Sequence, residues 1–193
     1  MNFSNIPPPC LFLLWPHLKL DVLSAAMPVG YTLRTYRECD EPSLLNLLGS
    51  DDESMTEKEW HYYRNILLPN GLFLVEANHS SGLVATAGAV HNPNPGRYYF
   101  PFGGELGYLM VARDHRKQGL GVAVCAAVVG RFLSAGYENI RVCVQEHRLP
   151  AIRLYLNLGF QPFLHSTQVE KRWLRVCELL SVSYKPDLWP SHL

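Results

Sequence analysis

The feature that most constrains this chain is a strand, a basic turn and a helix in unbroken succession between Glu105 and Ser134. Leu106-Gly107-Tyr108-Leu109-Met110-Val111 is an apolar run of strand length, and the turn Arg113-Asp114-His115-Arg116-Lys117-Gln118-Gly119-Leu120-Gly121 follows it. Val122 to Val129, with Phe132 and Leu133, reads as a helix that Gly136 stops. The first N–H groups of a helix have no intrahelical partner and sit at the positive end of its dipole. Gly119 and Gly121 let an anion approach the main chain closely, and Arg116 and Lys117 add full charges beside it. A pyrophosphate suits such a turn; a solvated basic turn is the plainer alternative. Two other phosphate signatures are missing. Val124 stands where a dinucleotide fold has its third glycine, and no Gly-Lys-Ser/Thr follows as in a P-loop.

Arg116-Lys117-Gln118-Gly119-Leu120-Gly121 resembles the Arg/Gln-x-x-Gly-x-Gly/Ala signature of the GNAT superfamily of acyl-CoA-dependent N-acetyltransferases. Leu109-Met110-Val111 and Asp114-His115 fit that family's strand and lead-in. A second block, Ala151-Ile152-Arg153-Leu154-Tyr155-Leu156-Asn157-Leu158-Gly159-Phe160, is similar to the family's Ala-x-x-Leu-Tyr-x-x-x-Gly-Phe helix and strand entry. Two blocks in the right order are far more specific than either alone, and the resemblance spans roughly Gly30 to Leu180.

Length and composition agree with one globular domain: 193 residues, 48% apolar and 18% charged. Basic and acidic residues balance at 17 each, so no nucleic-acid footprint is expected. Five scattered cysteines lack metal-ligand spacing, and Cys125 and Cys143 read as reduced core residues. The eight histidines form no His-x-x-x-His pair, and no metal is expected.

Residues 1–27 differ from the rest. Pro7-Pro8-Pro9 precedes Cys10-Leu11-Phe12-Leu13-Leu14-Trp15, an apolar run too short to span a bilayer. No Lys or Arg precedes Lys19, as a secretory signal would require. The stretch is expected to be a peripheral or flexible extension, with Met27 an alternative start; no membrane partner and a cytoplasmic location are expected. A domain over 28–181 and a tail over 182–193 follow.

Tyr31–Tyr36 predicts a first strand, Asp40 a cap for a helix over 41–48, and Thr56 with Glu59 a capping box for a second helix through Leu67. Pro69-Asn70-Gly71 predicts a turn, then 72–77 and 83–90 a hairpin. After the central unit come a strand over 140–144, a helix over 150–158, and two closing strands near 160–164 and 170–177. The order β-α-α-β-β-β-α-β-α-β-β gives a mixed α/β domain. The resemblance implies a mostly antiparallel sheet with helices on both faces and a splayed parallel central pair, Leu109–Val111 and Ile140–Val144.

The resemblance also implies roles. Acetyl-CoA would be the cosubstrate, bound by Leu109, Met110, Val111, Arg116, Lys117, Gln118, Gly119, Leu120 and Gly121. Glu105 stands fourteen positions before Gly119, where some members keep a general base, and Tyr155 stands at the tyrosine that serves the coenzyme A sulfur. Each has a plainer alternative, a solvent-facing strand end and a core packing residue. Glu146 and His147 are weaker candidates for the base. The oxyanion would be held by main-chain N–H near Met110 or Val111. One departure is Arg148, where many relatives carry an asparagine against the cofactor arm; it could reach a cofactor phosphate instead.

The acceptor, a small-molecule or peptide amine, would meet Asp51, Asp52, Glu53, Glu57 and Glu59 with Trp60, Tyr62, Tyr63, Tyr98 and Tyr99. Many relatives dimerise, so a homodimer stays open. A non-catalytic acyl-CoA-binding module on the same fold is the alternative function.

Overall fold

The computed structural model describes residues 10–16, 26–50, 55–79, 82–91 and 103–191. In chain order the elements are β1 (Leu11–Leu14), β2 (Tyr31–Thr35), α1 (Glu41–Leu48), α2 (Glu57–Asn65), β3 (Leu67–Ala77), β4 (Leu83–His91), β5 (Gly103–Val111), α3 (Leu120–Ser134), β6 (Asn139–Val144), α4 (Leu149–Leu158), β7 (Gln161–Pro162) and α5 (Thr167–Leu180). They group into two compact units, His17–Ile140 and a second that joins Met1–Pro16 to Arg141–Leu193.

In the first unit the strands order β2-β3-β4-β5, each pair antiparallel. One face carries α1 and α2, which bury Leu44, Leu48, Trp60 and Tyr63 against Leu72, Leu74 and Val90. The other receives α3, whose Phe132 lies so close to Gly104 that a Cβ there would sit 2.1 Å from the ring. Ala85, Ala87 and Ala89 are fully buried along β4 and keep that strand thin.

Helix α2 begins as expected, with Glu59 N–H donating to Thr56 Oγ1 at 3.2 Å and Thr56 N–H to Glu59 Oε2 at 2.8 Å. It ends at Asn65, two residues before the expected Leu67, because Leu67 already pairs with Val90. Pro69-Asn70-Gly71 is no chain reversal. It lies inside β3 as an irregularity between Leu67 and Leu72, with Asn70 at φ 55°.

Asp40 does not cap α1 with its side chain. Its carboxylate instead takes both terminal nitrogens of Arg34, at 2.6 and 2.7 Å, and the Arg37 N–H at 2.7 Å. Arg34 also donates from Nε to Glu76 at 3.1 Å. The hydrogen bonds from Arg34, against the opposing cost of burial, hold the Asp40 carboxyl below its ordinary range. A lowered native value means its contribution is complete above the unfolded value near pH 4 and is lost as pH falls through the native one. Asp40→Asn should therefore cost about 1–3 kcal/mol at pH 7 and little near pH 2, as measured by urea unfolding at both pH values.

The second unit departs most from expectation. Residues Leu11–Leu14, expected in a peripheral or flexible extension, form β1 and insert between β6 and β7, antiparallel to both. Leu11 and Leu13 are completely buried and Trp15 is 4% exposed. Burying four large apolar groups outweighs the run's isolation in sequence. The expected second closing strand, 170–177, is helical, as part of α5. Ser166 accepts the Val169 N–H at 3.3 Å to start it, and Val169, Trp173, Val176 and Leu180 are buried at helical spacing. The first closing strand shrinks to Gln161–Pro162, paired with Leu14 and Leu13. Phe160 stands edge-on to Trp15 at 5.1 Å and to Tyr155 at 6.0 Å, which ties β1 to α4 through one ring.

Candidate functional site

The turn between β5 and α3 is built tightly. Ala112 N–H donates to Val84 O at 2.8 Å, and a short 3-10 turn follows over Arg113–His115. Lys117 at φ 62° and Gly119 at φ 86° then swing the chain so that α3 begins at Leu120. A Cβ at Gly119 would meet only Pro28, at 3.5 Å, so the glycine is set by backbone conformation rather than space. Gly119 is the N-cap and no side chain caps the helix. The first-turn N–H groups of α3 are thus left without a capping side chain, beside exposed Arg116 and Lys117. Arg116 Nε donates to Val111 O at 2.9 Å, which fixes its stem against the end of β5.

Tyr31 holds the turn from outside. Its hydroxyl donates to Gln118 Oε1 at 2.7 Å and lies 2.9 Å from His115 Nδ1. No sequence signal links positions 84 and 87 residues apart, so this contact is invisible before folding.

Upstream, β5 carries a bulge. Thr86 pairs with Met110 and Gly88 with Gly107, so Ala87 alone opposes both Tyr108 and Leu109. Tyr108 takes φ 52°, a left-handed conformation that costs a non-glycine residue about 1 kcal/mol or more. Bulges re-aim side chains and leave ladder groups unpaired. This one turns Tyr108 outward, 48% exposed, onto the ring of buried Tyr63 at a centroid distance of 4.1 Å.

Glu105 sits within β5 rather than at its start, since the strand begins at Gly103. It is half-buried and close enough to Tyr63 and Tyr108 to raise both phenols. The turn residues Arg116–Gly121, the strand residues Leu109–Val111 and Glu105 therefore lie in the first unit.

Tyr155 and Arg148 belong to the second. Tyr155 is 5% exposed on α4, and Arg148 is the N-cap of that helix, its carbonyl accepting from Ala151 and Ile152 at 3.0 and 3.1 Å. Glu146 is held by Arg172 at 2.8 Å, which makes it a poorer base than its sequence position suggested. Of the acceptor candidates, Glu57, Glu59, Trp60, Tyr62 and Tyr63 lie on α2; Asp51, Asp52, Glu53, Tyr98 and Tyr99 lie outside the described residues. Burial pushes the Cys125 thiol far up, as suits a packing residue. Among the described residues no group of three potential ligands gathers to hold a metal, and no helix is long and apolar enough to cross a membrane.

The profile of the Acetyltransferase (GNAT) family matches residues 33–160, well over half of the chain. The chain belongs to the GNAT acetyltransferase family. Its fold agrees with that of solved GNAT structures. A GCN5-related N-acetyltransferase from Sphaerobacter thermophilus is 20% identical with a TM-score of 0.63 over 80% of this chain and 49% of that one. The ribosomal-protein-S18-alanine N-acetyltransferase from Escherichia coli is 20% identical with a TM-score of 0.55 over 67% of this chain and 76% of its own. A protein of the GNAT family from Novosphingobium aromaticivorans is 22% identical with a TM-score of 0.57 over 81% of this chain and 65% of its own. The chain spans about half the length of the first of these structures. No curated protein matches it.

Proposed function

We propose that this GNAT protein is an N-acetyltransferase that moves the acetyl group of acetyl-CoA to a primary amine by direct attack in a ternary complex. The observation that carries the reading is the start of α3, an exposed helix N-terminus with a glycine cap, no capping side chain and Arg116 and Lys117 beside it. Those groups suit the pyrophosphate of the cosubstrate, with Gln118, Leu120 and Gly121 completing the turn and Leu109, Met110 and Val111 lining its approach. A structural neighbour, the NatC complex, was solved bound to a Gag peptide and CoA.

In this reading Glu105 takes one proton from the ammonium of the acceptor, freeing the nitrogen lone pair. Nitrogen adds to the acetyl carbon as the carbonyl electron pair moves onto oxygen, and the return of that pair breaks the carbon–sulfur bond. Main-chain N–H groups near Met110 or Val111 steady the oxyanion. Tyr155 gives its phenol proton to the departing thiolate, the second proton of the nitrogen passes back to the phenolate through solvent, and Glu105 releases its proton to bulk water. Arg148 is proposed to reach a phosphate of the cosubstrate. A cytoplasmic location belongs to the same proposal, supported by five cysteines that are all free thiols.

Calorimetric titration with acetyl-CoA, with NAD and ATP as controls, tests the donor. Selective binding near the micromolar level, roughly −8 kcal/mol, is expected. A thiol-release assay over a panel of amines then separates enzyme from sensor, since a binding module would hold acetyl-CoA and release no thiol. Tyr155→Phe should lower turnover by at least about tenfold and leave the acetyl-CoA dissociation constant within about twofold. An equal loss in both would assign Tyr155 to packing.

A further inference from the structure

Tyr63 is the one α2 aromatic whose buried polar end faces the reaction strand. The residue is 1% exposed, and its hydroxyl has no hydrogen-bond partner among the described residues. A buried, unpaired phenol is costly and calls for an explanation. Its surroundings supply one. The hydroxyl rests over Gly88, where a Cβ would lie 1.9 Å from the oxygen, and near Gly107, the residue paired with Gly88 across β4 and β5. Only a glycine at 88 leaves room for that oxygen at the edge of the bulge. The ring lies tilted against half-exposed Tyr108, Trp60 stands behind it at 6.1 Å, and Tyr36 meets Trp60 edge-on at 5.6 Å.

The charge around this wall has one sign. Burial first, then Tyr108 and Glu105, keep the Tyr63 phenol protonated, and Tyr108 is raised by burial and by Glu59, Glu105 and Tyr62. Glu105 stands two residues before Gly107 on β5, on the strand face that Tyr63 covers, and Glu59 stands one turn before Tyr63 on α2. Glu59 is kept anionic by the Thr56 N–H and hydroxyl.

We propose that Tyr63, Tyr108 and Glu105, with Glu59 one turn before Tyr63 on α2, form the acceptor seat, and that it takes a primary amine whose frame carries no carboxylate. This rests on the acetyl-transfer reading above. An ammonium is drawn to the two carboxylates and the face of Tyr108. Once Glu105 has its proton, the Tyr63 oxygen accepts an N–H of the neutral amine and holds it still. An acceptor with an anionic tail meets Glu59 and Glu105 with like charge.

The test uses three five-carbon acceptors of similar amine basicity: 1,5-diaminopentane, pentylamine and 5-aminopentanoate. The full-length wild type, Tyr63→Phe and Glu59→Gln proteins are compared by thiol release, acetyl-CoA titration and melting temperature. Wild type should prefer the diamine over the aminopentanoate by at least about tenfold in kcat/KM, and Glu59→Gln, which keeps the helix cap, should shrink that ratio. Tyr63→Phe should lose about tenfold in turnover for every acceptor, keep its acetyl-CoA affinity, and melt no lower than wild type, because it deletes an unpaired buried hydroxyl. Equal use of the three acceptors, or a Tyr63→Phe protein with wild-type turnover, overturns the seat and leaves acetyl transfer standing. A Tyr63→Phe protein that melts several degrees lower overturns it too, by exposing a hidden structural bond. Acetyl-CoA binding with no turnover of any amine overturns the acetyl-transfer reading and the seat with it.

Discussion

Gly121→Asp is expected to abolish acetyl-CoA binding while the protein stays folded. Gly121 is the second residue of α3, inside the turn proposed above to hold the pyrophosphate. A carboxylate there places a full negative charge where two phosphate charges must come. At a few ångströms, in a partly screened site, that repulsion is worth about 4 kcal/mol or more per charge pair, or roughly a thousandfold in affinity. The same substitution is mildly favourable to the free protein, since acidic residues in the first turn of a helix contribute about 0.3–1 kcal/mol. The two signs are opposite, and that makes the variant informative. Calorimetry should show no acetyl-CoA heat, and the melting temperature should stay level or rise. Unchanged affinity would remove the central claim about the turn.

Deleting residues 1–26, so that the chain starts at Met27, should unfold the unit that contains α4 and α5. The deletion removes β1 together with Leu11, Leu13, Leu14 and Trp15, all at most 9% exposed. At about 1.5–3 kcal/mol per buried side chain the loss is roughly 6–12 kcal/mol, the size of a whole domain's stability. It also strips the partner from both β6 and β7 and the ring from the face of Phe160. Hydrogen exchange should show amides in 141–180 losing protection while those in β3 and β4 keep theirs. A peptide of residues 1–16 added in trans should restore part of it. The single substitution Leu13→Ala is the milder version, expected to cost about 2–5 kcal/mol. An undiminished exchange pattern in the shortened protein would show that β1 is dispensable.

The local signals were the legible ones. The capping box of Thr56 and Glu59, the glycine stop after α3 and the β3–β4 hairpin all depend on neighbours a few residues apart, and each stands where the residues predicted. What failed to show were decisions made by distant partners. Leu11–Leu14 reads as stray apolar sequence because its partners lie beyond residue 140. The 170–177 stretch is helical where a strand is expected, and Val169, Trp173, Val176 and Leu180 carry the helical period that decides it. Asp40 looked like a cap and became an ion-pair partner once β2 brought Arg34 to it. At the site, the turn was readable from glycine and charge. The left-handed Tyr108 and the anchoring Tyr31 were not, since no local residue type dictates either.

The place of β1 has a consequence for synthesis. Leu11 pairs with Val144, so β1 waits through about 130 further residues before its partner exists. At ordinary elongation rates that is on the order of ten seconds, during which a run of leucines and a tryptophan stands unpartnered in the cell. The hairpins of the first unit have time to close in that interval. The second unit is then completed by a strand that was made long before, and its assembly is a late event of high contact order. A newborn chain of this protein should therefore be a client of holding chaperones through β1, and the emergence of β6 and β7, rather than of β1, should set the moment at which the second unit becomes resistant to protease.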